Sequence, residues 1–186
     1  VTEKHWKLYQ NLGSSDLNEG NTLIQAGAGL FVSEFGFGGL PEIEANCSLF
    51  KKQGNPLLPA YRHHHKILDD LRSAMEACAL ASVFPDVDSF CRASQAVQAR
   101  GNRRQLEALL ANENVSGYCI HAFTDGDWIL GAGLIDNWQR PKAAYHSIAA
   151  ANAQSNLFCF PLQRNVDYGV SITCNLVWRD AQKPPP

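Results

Sequence analysis

The hydrophobic pattern changes period along this chain, and that change limits what it can fold into. Ala28-Gly29-Leu30-Phe31-Val32-Ser33 is a short apolar run without alternation, and Val115 to Phe123 is another. Such runs are how strands buried on both faces look, which points to a parallel sheet. Between them Ile67, Leu68, Leu71, Met75, Cys78 and Ala79 recur at helical spacing from Lys66 until Pro85 stops the run. A second helix is predicted from Asp88 or Ser89 to about Asn112, with Phe90, Val97, Ala108 and Leu109 on one face. Gly101 inside it costs about 1 kcal/mol relative to Ala, which predicts close packing or a break at that point. Pro141 stands where a first helical residue belongs, and an Ala-rich helix is expected over Lys142 to Ala153. Strand, helices, strand, helix is the order of parallel βαβ units, so the expected class is α/β.

The tail reads differently. Val170, Ile172, Cys174, Leu176 and Trp178 alternate with Ser171, Thr173, Asn175 and Val177, the period of a strand with one wet face. Leu157 to Phe160 is its first strand or the link into it, so an antiparallel β domain opens here. A closed eight-stranded βα barrel takes about 250 residues, more than this chain has. The expected organisation is therefore the last two βα units of an incomplete TIM barrel over residues 1–155. The beginning of a truncated β-sandwich follows over 156–186. Val1 in place of Met, and Pro184-Pro185-Pro186 at the close, fit a piece of something longer. The first 25 residues are polar and turn-rich and read as a surface segment, with a helical turn near His5 to Tyr9.

Composition narrows the partners. Hydrophobic residues are 45% and charged residues 18%, below the roughly 25% charged that is usual, which excludes disorder. Sixteen Lys and Arg against eighteen Asp and Glu leave a charge of -2 and no basic footprint for nucleic acid or an anionic membrane. No apolar run approaches the roughly 18 residues that cross a bilayer. The six cysteines, at 47, 78, 91, 119, 159 and 174, contain no Cys-x-x-Cys pair, so a structural zinc site is not expected. They read as buried free thiols, with Cys159 and Cys174 the one pair to check for bonding, because both fall in predicted strands.

Functional groups of parallel βα architecture collect at the carboxyl ends of strands and in the loops after them. Glu34 ends one predicted strand, while Asp125, Asp127 and Trp128 follow the other, so both clusters should face one side. The Gly-rich loop Gly36 to Pro41 leads into an irregular stretch through Pro56 and Pro59, and loops that long are usually functional. A buried carboxylate between Ser33 and Phe35, with Phe37 and Trp128 nearby, suits a nucleophile or an acid/base in a sugar site, where rings stack on aromatic faces.

Four ordered blocks carry a resemblance: Val32-Ser33-Glu34-Phe35-Gly36-Phe37-Gly38-Gly39-Leu40-Pro41, Ser116-Gly117-Tyr118, Ala122-Phe123-Thr124-Asp125-Gly126-Asp127-Trp128, and Gly133-Leu134-Ile135-Asp136-Asn137-Trp138-Gln139-Arg140-Pro141-Lys142. Over about residues 28–155 the chain resembles glycoside hydrolase family 2, at barrel strands seven and eight and the join to the following sandwich. The resemblance implies a retaining exo-acting β-glycosidase, with Glu34 as the nucleophile that forms a glycosyl-enzyme intermediate. It implies an acid/base on strand four that has no equivalent in this sequence, so the chain by itself is expected to be inactive. Trp128 resembles the aromatic that floors the subsite of the non-reducing sugar. Asp125, Asp127, Phe37 and His121 complete the expected substrate-binding set. Ser-Glu-Phe-Gly-Phe leans toward the mannosidase-like members. The expected partners are a β-glycoside and the missing amino-terminal part of the same polypeptide.

Each residue also has a plainer reading. Asp-Gly is turn chemistry, so Asp125 and Asp127 suit turns as well as sugar contact. Asp136 and Trp138 suit fixing the loop into the final helix. His121 suits a satisfied core histidine as well as the site. His63-His64-His65 cannot easily chelate together on a helix, because successive side chains point apart, so no metal is expected. Gly27-Ala28-Gly29 and Gly131-Ala132-Gly133 lack the third glycine of a dinucleotide loop, and no cofactor is expected. The competing function is a non-catalytic carbohydrate-binding or interaction module derived from such a barrel.

Overall fold

The computed structural model describes residues 29–53, 58–127, 129–163 and 165–180. The surface segment expected over residues 1–25 lies outside them, and so does Trp128. Among the described residues four strands and four helices are formed: β1 (Leu30–Phe35), α1 (Ile43–Lys52), α2 (Pro59–Ala77), α3 (Val87–Leu110), β2 (Val115–Ile120), α4 (Ala143–Ala151), β3 (Ser155–Pro161) and β4 (Cys174–Asp180), with a 3-10 turn at Leu80–Ser82. Helices mixed with two small sheets make the α/β class expected from the pattern.

β1 and β2 pair with each other. At one end the Leu30 amide donates to the Asn114 carbonyl at 2.8 Å, and at the other the His121 amide donates to the Phe35 carbonyl at 2.8 Å. Partner numbers rise together, so the strands are parallel, and α1, α2 and α3 supply the crossover. The expectation that both strands are covered on both faces needs correction. Phe31 is 59% exposed, and Ser33, Glu34, Ser116 and Cys119 are exposed. The apolar composition makes the strands, but among the described residues each has only the other beside it.

Two helix starts differ from expectation. The stretch after Pro41, expected to be irregular, contains α1. Its N-cap position, Glu42, makes no side-chain cap bond, which is why no local start signal stands out. The Asp88 carboxylate, on α3, instead accepts the Glu44 and Ala45 amides at 3.0 and 3.1 Å. α2 begins at Pro59, seven residues before its apolar repeat declares itself, because Pro's fixed φ and missing N–H suit a first turn. α3 is capped reciprocally: the Ser89 amide donates to Asp86 Oδ1 at 2.6 Å and the Asp86 amide to Ser89 Oγ at 3.3 Å. Val97, placed inward by the sequence pattern, is 51% exposed, whereas Ala108 and Leu109 are buried. Pro141 is not the first residue of α4. It bridges to Ile135, and the next amide, Lys142, donates to the Leu134 carbonyl at 2.9 Å.

The described residues separate into two compact units, 34–103 with 119–148, and 29–33 with 104–118 and 149–180. In the first, Ile43, Cys47, Leu68, Met75, Val87 and Cys91 form a core between α1, α2 and α3. A side chain such as Leu68 contributes about 1.5–3 kcal/mol by that burial. Ala99, Leu134 and Ala144 make a smaller cluster with Ile120 and Ile148. The Cys91 thiol is pushed up to about 11 by burial, and that of Cys47 is raised for the same reason.

In the second unit β3 and β4 form an antiparallel hairpin in which Leu157 faces Trp178, Phe158 faces Val177 and Cys159 faces Leu176. Phe158 and Phe160 are buried, while Leu157, Leu176 and Trp178, on the opposite face, are 58%, 64% and 65% exposed. The alternation therefore makes a strand, but its bulkiest apolar set lies on the open side. Cys159 and Cys174 lie on that side too, two pairs apart on the diagonal, and both are free thiols.

Candidate functional site

Glu34 reaches its place because β1 carries it to the next-to-last position of the strand, beside the end of β2. The turn after it needs glycine. Gly36 has φ +147°, and a Cβ there would lie 2.6 Å from the His121 carbonyl oxygen. Glu34 Oε1 and His121 Nε2 are 3.9 Å apart, with side chains 68% and 40% exposed. Both were expected in buried positions and both are open, for the reason given for the strands. The spacing is that of a carboxylate–imidazole ion pair when the ring is protonated, and it is too long for a hydrogen bond.

Phe37 is held at both ends. Its amide donates to Asn102 Oδ1 at 2.5 Å, and its ring lies against Gly101, where a Cβ would be 2.7 Å from the ring carbon Cδ2. One side of the ring is thus committed to α3, and Gly101 marks close packing rather than a break.

Asp125 takes a different part from the expected sugar contact. It is buried, and Oδ1 accepts the Gly131 and Gly133 amides at 2.9 and 2.7 Å. Lys142 Nζ lies 3.1 Å from Oδ2 and also donates to the Gly39 and Gly131 carbonyls at 2.9 and 3.1 Å. Gln98, fully buried on α3, spreads Nε2 over the Gly131, Ala132 and Gly133 carbonyls at 3.1–3.3 Å. Burial pushes the Asp125 carboxyl up and the Lys142 ammonium down, each held back by the opposite charge. Every oxygen of Asp125 is in use, so its work is to clamp the 124–135 loop to the Gly36–Pro41 loop. Asp136 does the same for the turn into α4, accepting the Trp138 and Arg140 amides at 2.8 and 2.9 Å and Arg140 Nε at 2.6 Å.

Asp127 is half-open, its side chain 40% exposed. Its Oδ1 meets His64 Nε2 at 3.3 Å and Asn137 Nδ2 at 3.3 Å. His64 is fully buried, with its ring edge-on to Phe50 at 5.2 Å, and Phe50 in turn meets Trp138 at 5.0 Å. Burial holds the His64 ring below the usual histidine range, opposed by the Asp127 charge. The three histidines diverge as helix geometry requires. His65 Nδ1 faces Asp69 at 3.2 Å on the surface, while His64 points inward. Among the described residues no group of three His, Cys, Asp or Glu side chains is placed to hold a metal ion.

The structure thus brings Glu34 to His121 and, separately, Asp127 to His64 and Asn137. Gln98 was not singled out from sequence, His64 entered only in the histidine run, and Asn137 and Lys142 only as members of the last of the four blocks. A signal for His64 was present: it precedes Leu68 by four, on the face that continues to Leu71 and Met75.

The fold as a whole has counterparts among solved structures. Nine solved chains resemble this fold. One is the β-D-mannosidase from Dictyoglomus thermophilum, with TM-score 0.50 and 18% identity, over 81% of this chain and 22% of that one. At that identity the likeness is one of fold, and this chain spans less than a quarter of the mannosidase. No protein-family model matches the sequence, and no curated protein does.

Proposed function

We propose that this chain is part of a retaining β-glycosidase, with Glu34 attacking the anomeric carbon. One observation carries the reading. Glu34 and His121 meet at the carboxyl ends of adjacent parallel strands, in a fold resembling that of a β-D-mannosidase. That end of parallel βα units is where catalytic groups sit in barrels. On this reading residues 1–155 are the last two βα units of a TIM barrel and 156–186 open a β-sandwich. The acid/base comes from an earlier strand, roughly 5–5.5 Å from Glu34 as retention requires.

Glu34 is open enough to reach a sugar, its side chain 68% exposed, and a carboxylate oxygen is the nucleophile that a retaining mechanism uses. His121 lies beside it at 3.9 Å, close enough to help hold the carboxylate in place, and the half-buried Phe37 ring is the nearby aromatic on which a sugar would stack. The leaving oxygen takes its proton from the acid/base, and water later releases the sugar from Glu34 with the same group acting as base.

The test is trapping with 2,4-dinitrophenyl 2-deoxy-2-fluoro-β-D-mannoside, whose leaving group needs no proton. In the full barrel polypeptide, peptide mass spectrometry should find the fluorosugar on Glu34. Glu34→Ala should lower turnover on the order of 10⁴-fold or more while sugar binding persists. An adduct on another carboxylate ends the proposal, and so does brisk hydrolysis of aryl β-glycosides by the 186-residue chain alone.

A further inference from the structure

His64 is a buried histidine in a helix that the reaction at Glu34 does not use, and it needs a reason to be there. It comes from the histidine run set aside as a metal site, and among the described residues its one polar contact is Asp127 Oδ1. Asn137 donates to the same oxygen from the loop before α4. Two donors on one oxygen, from separate elements, fix the carboxylate about its side-chain torsions. Among the described residues no donor reaches Oδ2. His64 is fully buried while the Asp127 side chain is 40% exposed, so the clamp is inside and the acceptor is outside.

The ring's protonation follows from its surroundings. Nδ1 is buried and has no hydrogen-bond partner among the described residues. A proton there would be an N–H with no acceptor, whereas a proton on Nε2 has Asp127. The ring is therefore neutral, with Nε2–H donating. A lysine or arginine in its place would cancel the carboxylate's charge. A neutral imidazole orients the carboxylate and leaves the negative charge whole for an incoming donor.

We propose that His64 is a positioning residue, holding Asp127 with Oδ1 committed and Oδ2 presented to a hydroxyl of an uncharged pyranoside. The proposal rests on the glycosidase reading and deepens it, because a carboxylate acceptor favours neutral glycosides and repels uronides. Asp127 and Asn137 act with it, and Phe50 keeps the ring in plane.

The experiment is NMR on the 186-residue chain labelled with ¹³C and ¹⁵N. Long-range ¹H–¹⁵N spectra should show His64 as the Nε2–H tautomer, and three-bond couplings should show one χ1 rotamer for Asp127. Methyl β-D-mannopyranoside should shift the Asp127 carboxyl carbon, and methyl β-D-glucuronide should not. His64→Phe keeps the aromatic packing on Phe50 but removes the donor. It should average the Asp127 rotamer and weaken the sugar response by about tenfold. His64→Gln, which keeps an N–H, should restore much of it. If His64→Phe does not fold, the His64 tautomer and the Asp127 rotamer in the parent chain decide the matter by themselves. An Nδ1–H tautomer, a freely rotating Asp127, an equal response to the uronide, or no response to the mannoside overturns the proposal. A fluorosugar adduct on Glu34 with no shift at Asp127 would leave the nucleophile standing and sink this inference. A shift at Asp127 without an adduct would do the reverse.

Discussion

Lys142 is a residue whose removal the fold would feel. Its ammonium is buried against Asp125 and reaches two carbonyls besides, so Lys142→Met strands a buried carboxylate. Breaking a buried pair from one side costs about 3–5 kcal/mol, because the remaining charge has no water to return to. We expect a loss of that size in urea unfolding. Adding Asp125→Asn should recover part of it, since the amide oxygen still accepts the Gly131 and Gly133 amides without a charge to bury. Equal losses in the single and double variants would show that the pair is not what holds the loop. The sequence reading had little access to this. Asp125-Gly126 looks like a turn and Lys142 like the start of a helix, and nothing local says that they meet across sixteen intervening residues. Glu34 was easier, because the apolar run before it marks the end of a strand, and β1 does end beside it, although its side chain is open where a buried one was expected.

At the scale of elements, α3 and the loop after β1 are fitted to each other at Gly101. In an open helix Gly→Ala stabilises by about 1 kcal/mol. Here the new Cβ would lie 2.7 Å from the Phe37 ring, and overpacking costs about 1–3 kcal/mol. Gly101→Ala should therefore forfeit its gain and lose up to about 2 kcal/mol. Phe37→Leu should cost less in that background than in the parent, and independent effects in the four-protein cycle would refute the contact. The elements whose signals are local were legible: α2 and α3 from their 3.6-residue repeat and β4 from alternation, while Leu157 to Phe160, left open as a strand or a link, lies in β3. α1 was not, because its cap comes from Asp88, more than forty residues further on. The hairpin's open face was misplaced for a related reason. Alternation tells which residues share a side, and only the partner strand, with Phe158 opposite Val177, tells which side is covered.

At the scale of the whole molecule, the alternation of strand and helix was enough for the α/β class, and the parallel pairing of β1 with β2 follows from it. The polar arrangement around Asp127 was not readable, since it depends on α2 delivering His64 from 63 positions away. Long-range contacts of that kind leave no periodicity. They do set which parts of the protein must open together. Cys47 and Cys91 lie in the core joining α1, α2 and α3, whereas Cys78, Cys119 and Cys159 are exposed. A buried thiol of raised pKa has almost no thiolate to offer an alkylating reagent. Iodoacetamide should modify the exposed three at once and the buried two only as that core opens, so their rate is a clock for its opening. Lys142→Met should leave the first phase unchanged and speed the second, as read by mass spectrometry of quenched samples. The cysteines, which build no bridge and hold no metal in the fold described, would then serve as timekeepers of its breathing.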